Sequence, residues 1–210
     1  LVARGYIKKK KPKLVVRTIL AAWGMGPHPE LATVFAEIEP DEAPSDRIKR
    51  FQKLTKILPK HPETKMLLAE LHIAASNFKK ARSVIRGLAK SDPTMRSLTI
   101  MAAIERGEGA DDQTVRQILT QAISAQRDPH WICENCGDVY QNWEPVCLSC
   151  GAIDSVSWKR PPQSESVSSE MLPLIVGQMA KPEKDLMSLP TDDDLKIKSN
   201  TDTKLGSIKP

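Results

Sequence analysis

Apolar side chains recur every three or four residues through most of the first ~130 positions, and this spacing predicts helices. The clearest case is residues 62–93, where two apolar faces lie on either side of Asn77. The first face contains Leu67, Leu68, Ala69, Leu71, Ala74 and Ala75, and the second contains Ala81, Ile85 and Leu88. Each face fits one side of a short helix, so this segment predicts an antiparallel helix pair that turns at Asn77.

Prolines divide this region at intervals of about 34 residues. They are Pro29, Pro62, Pro93 and Pro129. Helix pairs of this period resemble tetratricopeptide repeats, so residues 1–129 are expected to form such an array with a truncated first repeat. An unrelated helical bundle is the alternative, because only one unit matches cleanly.

Two details of the repeat pattern remain open at this point. Asp92 and Asp128 precede prolines, and each Asp–Pro pair fits either a helix cap or the loop that ends a repeat. Arg50 occupies a position where a repeat of this kind has a small residue. Both details affect how closely the helix pairs can match the expected tetratricopeptide pattern.

All four cysteines lie in two Cys-x-x-Cys-Gly segments between residues 133 and 150. The predicted metal ligands are Cys133, Cys136, Cys147 and Cys150. Disulfides are less favoured, because a bridge across Cys-x-x-Cys closes a very small loop. Gly137 and Gly151 fit the tight turn with positive φ that follows each pair of ligands.

Four thiolates suit a structural Zn²⁺ ion, although a single iron also accepts this ligand set. A four-sulfur site keeps no open position for water or substrate, so we expect no catalysis at the ion. His130 lies near the first cysteine pair and is interpreted as a flanking residue. We expect Trp131, Trp143 or Trp158 to dock the module against the final repeat.

The sequence therefore predicts an all-α protein with two additions. Residues 1–129 form the tetratricopeptide-like helical repeats, and residues 130–160 form a small rubredoxin-like or zinc-ribbon module with short β-hairpins. Residues 161–210 lack aromatic side chains and are predicted to be a disordered tail. The apolar run 171–176 is the exception in this tail. It is interpreted as an incidental apolar stretch, and docking on the repeats or binding of a partner are the alternatives.

Charge argues against nucleic acid as a partner, although the net charge is +5. No Lys or Arg lies between Asp128 and Trp158, so the module cannot neutralise phosphates. The run Lys8–Lys11 is interpreted as a solvated turn between helices, with contact to an anionic membrane surface as the alternative. Elsewhere, no run approaches the ~18 apolar residues of a membrane span, and no secretory signal opens the chain.

An enzyme is not expected, because no Ser-His-Asp order, phosphate-binding glycine loop or paired-carboxylate pocket is recognisable. Stacked repeats instead form a concave groove that suits protein partners. The chain starts with Leu1 rather than Met, and we expect it to be part of a longer protein. Reduced, metal-binding cysteines favour a cytoplasmic location for the module.

Repeats followed by this cysteine module resemble the C-terminal part of the HemY family, bacterial proteins associated with haem biosynthesis. The resemblance covers roughly residues 14–162 and depends on Trp131–Gly137, on Trp143 and Pro145, on the Asp154–Trp158 segment, and on Ala21–Ala32. It implies a non-catalytic scaffold that is anchored in the bacterial inner membrane by segments absent from this chain. Protein partners would bind in the repeat groove.

Lipopolysaccharide assembly protein B is similar in architecture, because it also places a rubredoxin-like module after its repeats. A quality-control adaptor in the cell envelope is therefore the rival function. A nucleic-acid-binding zinc ribbon is the less favoured third interpretation.

Overall fold

The computed structural model describes residues 2–162, and this part of the chain is mostly helical, as predicted. The helices are α1 (Val2–Lys8), α2 (Pro12–Met25), α3 (Pro29–Ala36), α4 (Pro44–Thr55), α5 (Pro62–Ala74), α6 (Phe78–Ser91), α7 (Met95–Gly107) and α8 (Asp112–Ser124). The strands are β1 (His130–Cys133), β2 (Val139–Tyr140) and β3 (Val156–Lys159). The predicted tail lies outside the described residues from 163 onward, and the tetratricopeptide assignment stays a prediction.

The predicted helix pair in residues 62–93 is confirmed. Helices α5 and α6 pack against each other, and the Asn77 side chain caps α6 by accepting a hydrogen bond from the Lys80 amide at 3.3 Å. Helices α7 and α8 form a second closely packed pair, and α6 packs against α7. Lys8 ends α1, and residues 9–11 form the exposed connection to α2, as the turn interpretation predicted.

Helix α5 connects two hydrophobic cores. Leu67 and Leu71 belong to a core shared with α2, α3 and α4, whereas Met66 and Ala69 face a core shared with α6 and α7. A helix that packs on two sides needs apolar residues around most of its circumference. This requirement explains the near-continuous apolar sequence of α5.

Arg50 fills the position where a small residue was expected, and two aromatic rings and a carboxylate accommodate its side chain. Its guanidinium lies 4.8 Å from the centre of the Phe35 ring and 5.1 Å from that of Phe51. The same group donates to the Phe35 carbonyl at 2.6 Å and forms an ion pair with Glu42. Cation–π contacts and these hydrogen bonds compensate for the size of the side chain.

Two His-Pro-Glu segments cap helices in the same way. The Nδ1 atom of His28 accepts a hydrogen bond from the Glu30 amide at 3.1 Å, and that of His61 accepts one from the Glu63 amide at 3.2 Å. The proline after each histidine occupies the first turn of α3 or α5. Capping at the predicted boundaries thus uses histidine rather than aspartate.

The Asp–Pro pairs belong to the loops that end helix pairs. Thr94, not Asp92, caps α7, and it forms a reciprocal capping box with Ser97. Asp128 precedes β1 rather than a helix. The N-cap alternative for these pairs was therefore wrong, and Asp92 is instead the C-cap residue of α6. Among residues 2–162, no helix combines the length and apolar content needed to cross a bilayer.

The His61 cap predicts a specific pH dependence. Burial holds the pKa of His61 below its usual value of 6.5, so the neutral, capping form is favoured in the folded state. Its contribution to stability is present above pH 6.5 and is lost as the pH falls below that value. At pH 7.5, we expect His61→Ala to lose about 1 kcal/mol of unfolding free energy, and His61→Asn to retain the cap.

Urea unfolding, followed by far-UV circular dichroism at pH 7.5 and 5.5, measures this effect. The Asn variant should match the wild type at pH 7.5 and exceed it in stability at pH 5.5. If the unfolding free energy changed by the same amount between pH 7.5 and 5.5 in wild type and His61→Asn, the proposed cap would be contradicted.

Candidate metal centre

The cysteine module forms around a three-stranded sheet with the order β2-β1-β3. Both neighbours pair antiparallel with β1, so Trp131 lies opposite Tyr140 on one side and Trp158 on the other. Strand β1 ends at Cys133, the first predicted ligand. An isolated bridge between Val146 and Ile153 closes the second cysteine segment.

The structure brings all four predicted ligands together. Their sulfur atoms lie within 4.8 Å of one another. The distance from Cys133 to Cys150 is 3.7 Å, and that from Cys136 to Cys147 is 3.5 Å. A tetrahedral ion with Zn–S bonds of about 2.3 Å requires sulfur–sulfur separations of about 3.8 Å. The donor set therefore fits one four-coordinate ion, and both zinc and iron satisfy this geometry.

The two cysteine turns have the same backbone geometry. Gly137 and Gly151 have φ values of 77° and 73°, as their positions after each Cys-x-x-Cys predicted. The Gly137 amide donates to the Cys133 carbonyl at 2.9 Å, and the Gly151 amide donates to the Cys147 carbonyl at 2.8 Å. Each turn thus folds its two sulfurs toward the same point.

Side chains outside the ligand set also contact the sulfurs. The Tyr140 hydroxyl lies 3.1 Å from Cys147 Sγ, to which it donates when the sulfur is a thiolate, and it accepts a hydrogen bond from the Ser149 amide at 3.4 Å. Asn135 Nδ2 donates to Cys150 Sγ at 3.4 Å. Such donors orient metal ligands and stabilise their thiolate form. Sequence analysis assigned no role at the sulfurs to Tyr140.

The thiols differ in acidity in the metal-free protein. The Tyr140 hydroxyl lowers the pKa of Cys147 to about 6. The backbone amide of Asp138 acts in the same direction on Cys136, but burial and the neighbouring sulfurs raise its pKa to about 12. Four crowded thiols cannot all ionise without a cation between them, so metal binding must displace protons.

Two tryptophans attach the module to the helices at an unexpected place. The centre of the His28 imidazole lies 4.2 Å from the ring centre of Trp158 and 5.3 Å from the ring centre of Trp131. His28 belongs to the loop between α2 and α3, well before the final helix pair in the chain. Trp143 is 47% exposed, so it is a surface residue. Trp131 and Trp158 thus contact the α2–α3 loop, a position that the sequence did not predict.

The geometry of His28 explains this contact. Its Nδ1 accepts the Glu30 amide, which leaves the proton on Nε2. Nε2 is buried and has no oxygen or nitrogen partner within the described part of the chain. The ring meets Trp158 at 63°, an edge arrangement in which an indole can receive an N–H group. Burial lowers the pKa of His28, which keeps the ring neutral.

A second contact connects the module to the loop after α6. Arg160, directly after β3, donates to both carboxylate oxygens of Asp92 at 2.9 and 2.5 Å. The same guanidinium donates to the Gln126 side chain at 3.0 Å. Bidentate pairing fixes both distance and orientation. The Asp92 carboxylate, which does not cap α7, thus holds the end of the sheet.

The segment that leads into β1 is also anchored. The Arg96 amide donates to Asp128 Oδ2 at 2.8 Å, and the Arg96 guanidinium forms ion pairs with Glu63 and Glu70 at 2.8 and 2.9 Å. His130 begins β1, and its Nδ1 lies 2.7 Å from the Asp128 carbonyl, which agrees with a flanking rather than a ligating role. These contacts tie the module to α5 and α7.

Comparison with known proteins adds one distant relative. The chain is 28% identical over 155 residues to the probable magnetosome protein Mms48 of Magnetospirillum gryphiswaldense strain MSR-1. The matched region covers 73% of this chain but only 34% of that protein, so the chain spans about a third of its relative. No family model matches the chain. The HemY resemblance therefore stays a prediction.

The cysteine cluster predicts one tightly bound metal ion per chain. Cys133→Ser should remove the ion and unfold the module, because about thirty residues with so small a core need the metal for stability. Leu148→Ser is the matched control, since this exposed residue lies between the ligands of the second pair. Elemental analysis, together with the absorption of a tetrahedral cobalt–thiolate centre after Co²⁺ substitution, measures binding. Full metal occupancy in Cys133→Ser would contradict the ligand assignment.

Comparing the two histidine caps predicts how much the contact between His28 and the indoles contributes to the stability of the protein. His61→Ala removes a cap alone, whereas His28→Ala removes a cap and the contact with two indoles. We expect His28→Ala to be more destabilising by about 1 kcal/mol, the scale of an aromatic pair. Chelation of the metal should abolish the difference, because docking requires a folded module. Equal urea midpoints for both variants in the metal-loaded protein would exclude this energetic role.

Proposed function

We propose that this chain is a non-catalytic scaffold on which other proteins assemble, and that its metal module is a structural part of that scaffold. An ion bound by four cysteines has no free coordination position for a substrate, because the protein fills all four. Such an ion cross-links the chain and does not catalyse a reaction. Helical layers of this kind offer extended surfaces that suit protein partners.

One observation carries the proposal: the module holds together two loops that are far apart in sequence. His28 precedes α3 and Asp92 follows α6, and they contact Trp158 and Arg160 at the end of β3, so these two contacts bracket the four helices between the loops. A rearrangement of the helices that separated the two loops would have to break one of these contacts. A binding surface that is held in one shape loses less conformational entropy when its partner binds.

For the biological setting, we propose a HemY-type role in haem biosynthesis at the bacterial inner membrane. This proposal depends on the resemblance in the cysteine module and in Ala21–Ala32. The anchor and the groove partners of that role are proposals as well. The distant similarity to the probable magnetosome protein Mms48 suggests a second setting, the magnetosome.

A quantitative affinity purification tests both parts of the proposal. The full chain is immobilised in its metal-loaded form and incubated with detergent-solubilised membranes of the source cells. We expect enzymes of haem synthesis to be enriched. The double variant Trp158→Ala, Arg160→Ala keeps the ligands but breaks the bracket, and it should reduce this enrichment about tenfold, which corresponds to about 1.4 kcal/mol of binding free energy.

Each other outcome has a defined meaning. Enrichment of an envelope protease or of lipopolysaccharide enzymes would replace the haem-related setting with the envelope adaptor function. Recovery of RNA would contradict the scaffold interpretation. Equal enrichment by the native and double-variant chains would refute a role for the bracket while leaving the scaffold in place.

A further inference from the structure

The second cysteine turn exposes an unusual amount of apolar surface. Leu148 is 78% exposed, Ile153 is 79% exposed and Val146 is 42% exposed. Together these residues form what we call the knuckle face. Large apolar side chains gathered on one small surface commonly mark a binding site, whereas scattered ones do not.

Backbone pairing places two of the three side chains on one side of the turn. Val146 and Ile153 are directly opposite each other in an antiparallel bridge, so their side chains share a face. Leu148 lies in the turn two residues after Val146, and the candidate ligand Cys147 between them is buried whereas both neighbours are exposed. The buried residue thus faces the sulfur cluster, and its exposed neighbours contribute to the knuckle face.

The rim of the knuckle face is acidic. Glu144 and Asp154 flank it in sequence, and the Asp154 amide donates to the Pro145 carbonyl, which brings the two flanks together. No Lys or Arg lies between Asp128 and Trp158 to balance them. The occupant should therefore be apolar, and any charge that it carries should be positive.

The chain itself contains a matching segment. Residues 171–176 read MLPLIV, an apolar run without charge; Glu170 precedes it and Lys181 follows it five residues later. We propose that the run 171–176 docks on the knuckle face of its own chain. Apolar contact would hold the run in place, and the run itself brings no carboxylate to the acidic rim.

The length of the connection permits this contact. Pro162 is nine residues beyond Ile153 and nine residues before Met171. A nine-residue connection spans up to about 30 Å when extended. The path back to Ile153 includes a turn and the short strand β3, so the direct distance is smaller than this limit. A tether of this length gives millimolar effective concentration, which makes even a weak apolar contact substantially populated.

Photo-crosslinking in the full-length, metal-loaded chain tests the proposal. A p-benzoylphenylalanine residue replaces Leu148, and in a matched control it replaces Leu119, a partly exposed residue of α8. We expect the probe at 148 to crosslink to residues 171–176 within a monomer, as mapped by mass spectrometry, and the probe at 119 not to do so. Leu174→Glu with Ile175→Glu should reduce this crosslink about tenfold or more.

Other results would overturn the proposal. Crosslinks between two chains would assign the knuckle face to a second copy. Crosslinks to another part of the chain, or none at all, would exclude 171–176 as the occupant. The same holds if the glutamate variant crosslinks as well as the native tail. Metal content is measured in every variant, so that a lost crosslink cannot arise from an unfolded module.

Discussion

The arrangement of this molecule depends on the packing of two indole rings against one neutral histidine. Trp131 and Trp158 are opposite each other on adjacent strands, and their shared contact is His28, which caps α3. The imidazole performs both tasks because its two nitrogens differ: Nδ1 accepts the helix amide and Nε2 lies toward the buried side. Protonation would remove the acceptor and bury a charge, so a low pKa is a structural requirement at this position.

Most of the metal centre could be predicted from sequence because its information is local. Two Cys-x-x-Cys-Gly segments fix the ligands, the backbone turns and the positive φ of Gly137 and Gly151 without reference to the rest of the chain. The contribution of Tyr140 could not be predicted in this way. Its hydroxyl reaches Cys147 only because β2 pairs with β1, and this pairing depends on tertiary structure.

In the helical part, too, features set by neighbouring residues could be predicted, whereas contacts between residues far apart in sequence could not. Apolar spacing predicted the pair α5 and α6, since each face is read from neighbouring residues. The docking position could not be predicted, because His28 and Trp158 are far apart in sequence. Neither the His-Pro-Glu segment nor the cysteine module carries a local signal that identifies its contact partner. One signal was present but not used: the His-Pro-Glu segment occurs twice, at His28 and His61, where the later boundaries carry Asp-Pro. A repeated cap of this kind indicates that the imidazole has a specific role.

The module also illustrates how a small unit divides its few apolar side chains between two tasks. Its small core consists of Ile132, Val156 and the two buried cysteines, Cys133 and Cys147. A metal ion held by the four sulfurs would cross-link the turns in place of a larger hydrophobic core. With the turns held in this way, Leu148 and Ile153 are not needed inside and remain on the surface. Trp131 and Trp158 contact His28 of the helical part, so much of the remaining apolar surface of the module is available for contact with other parts of the protein.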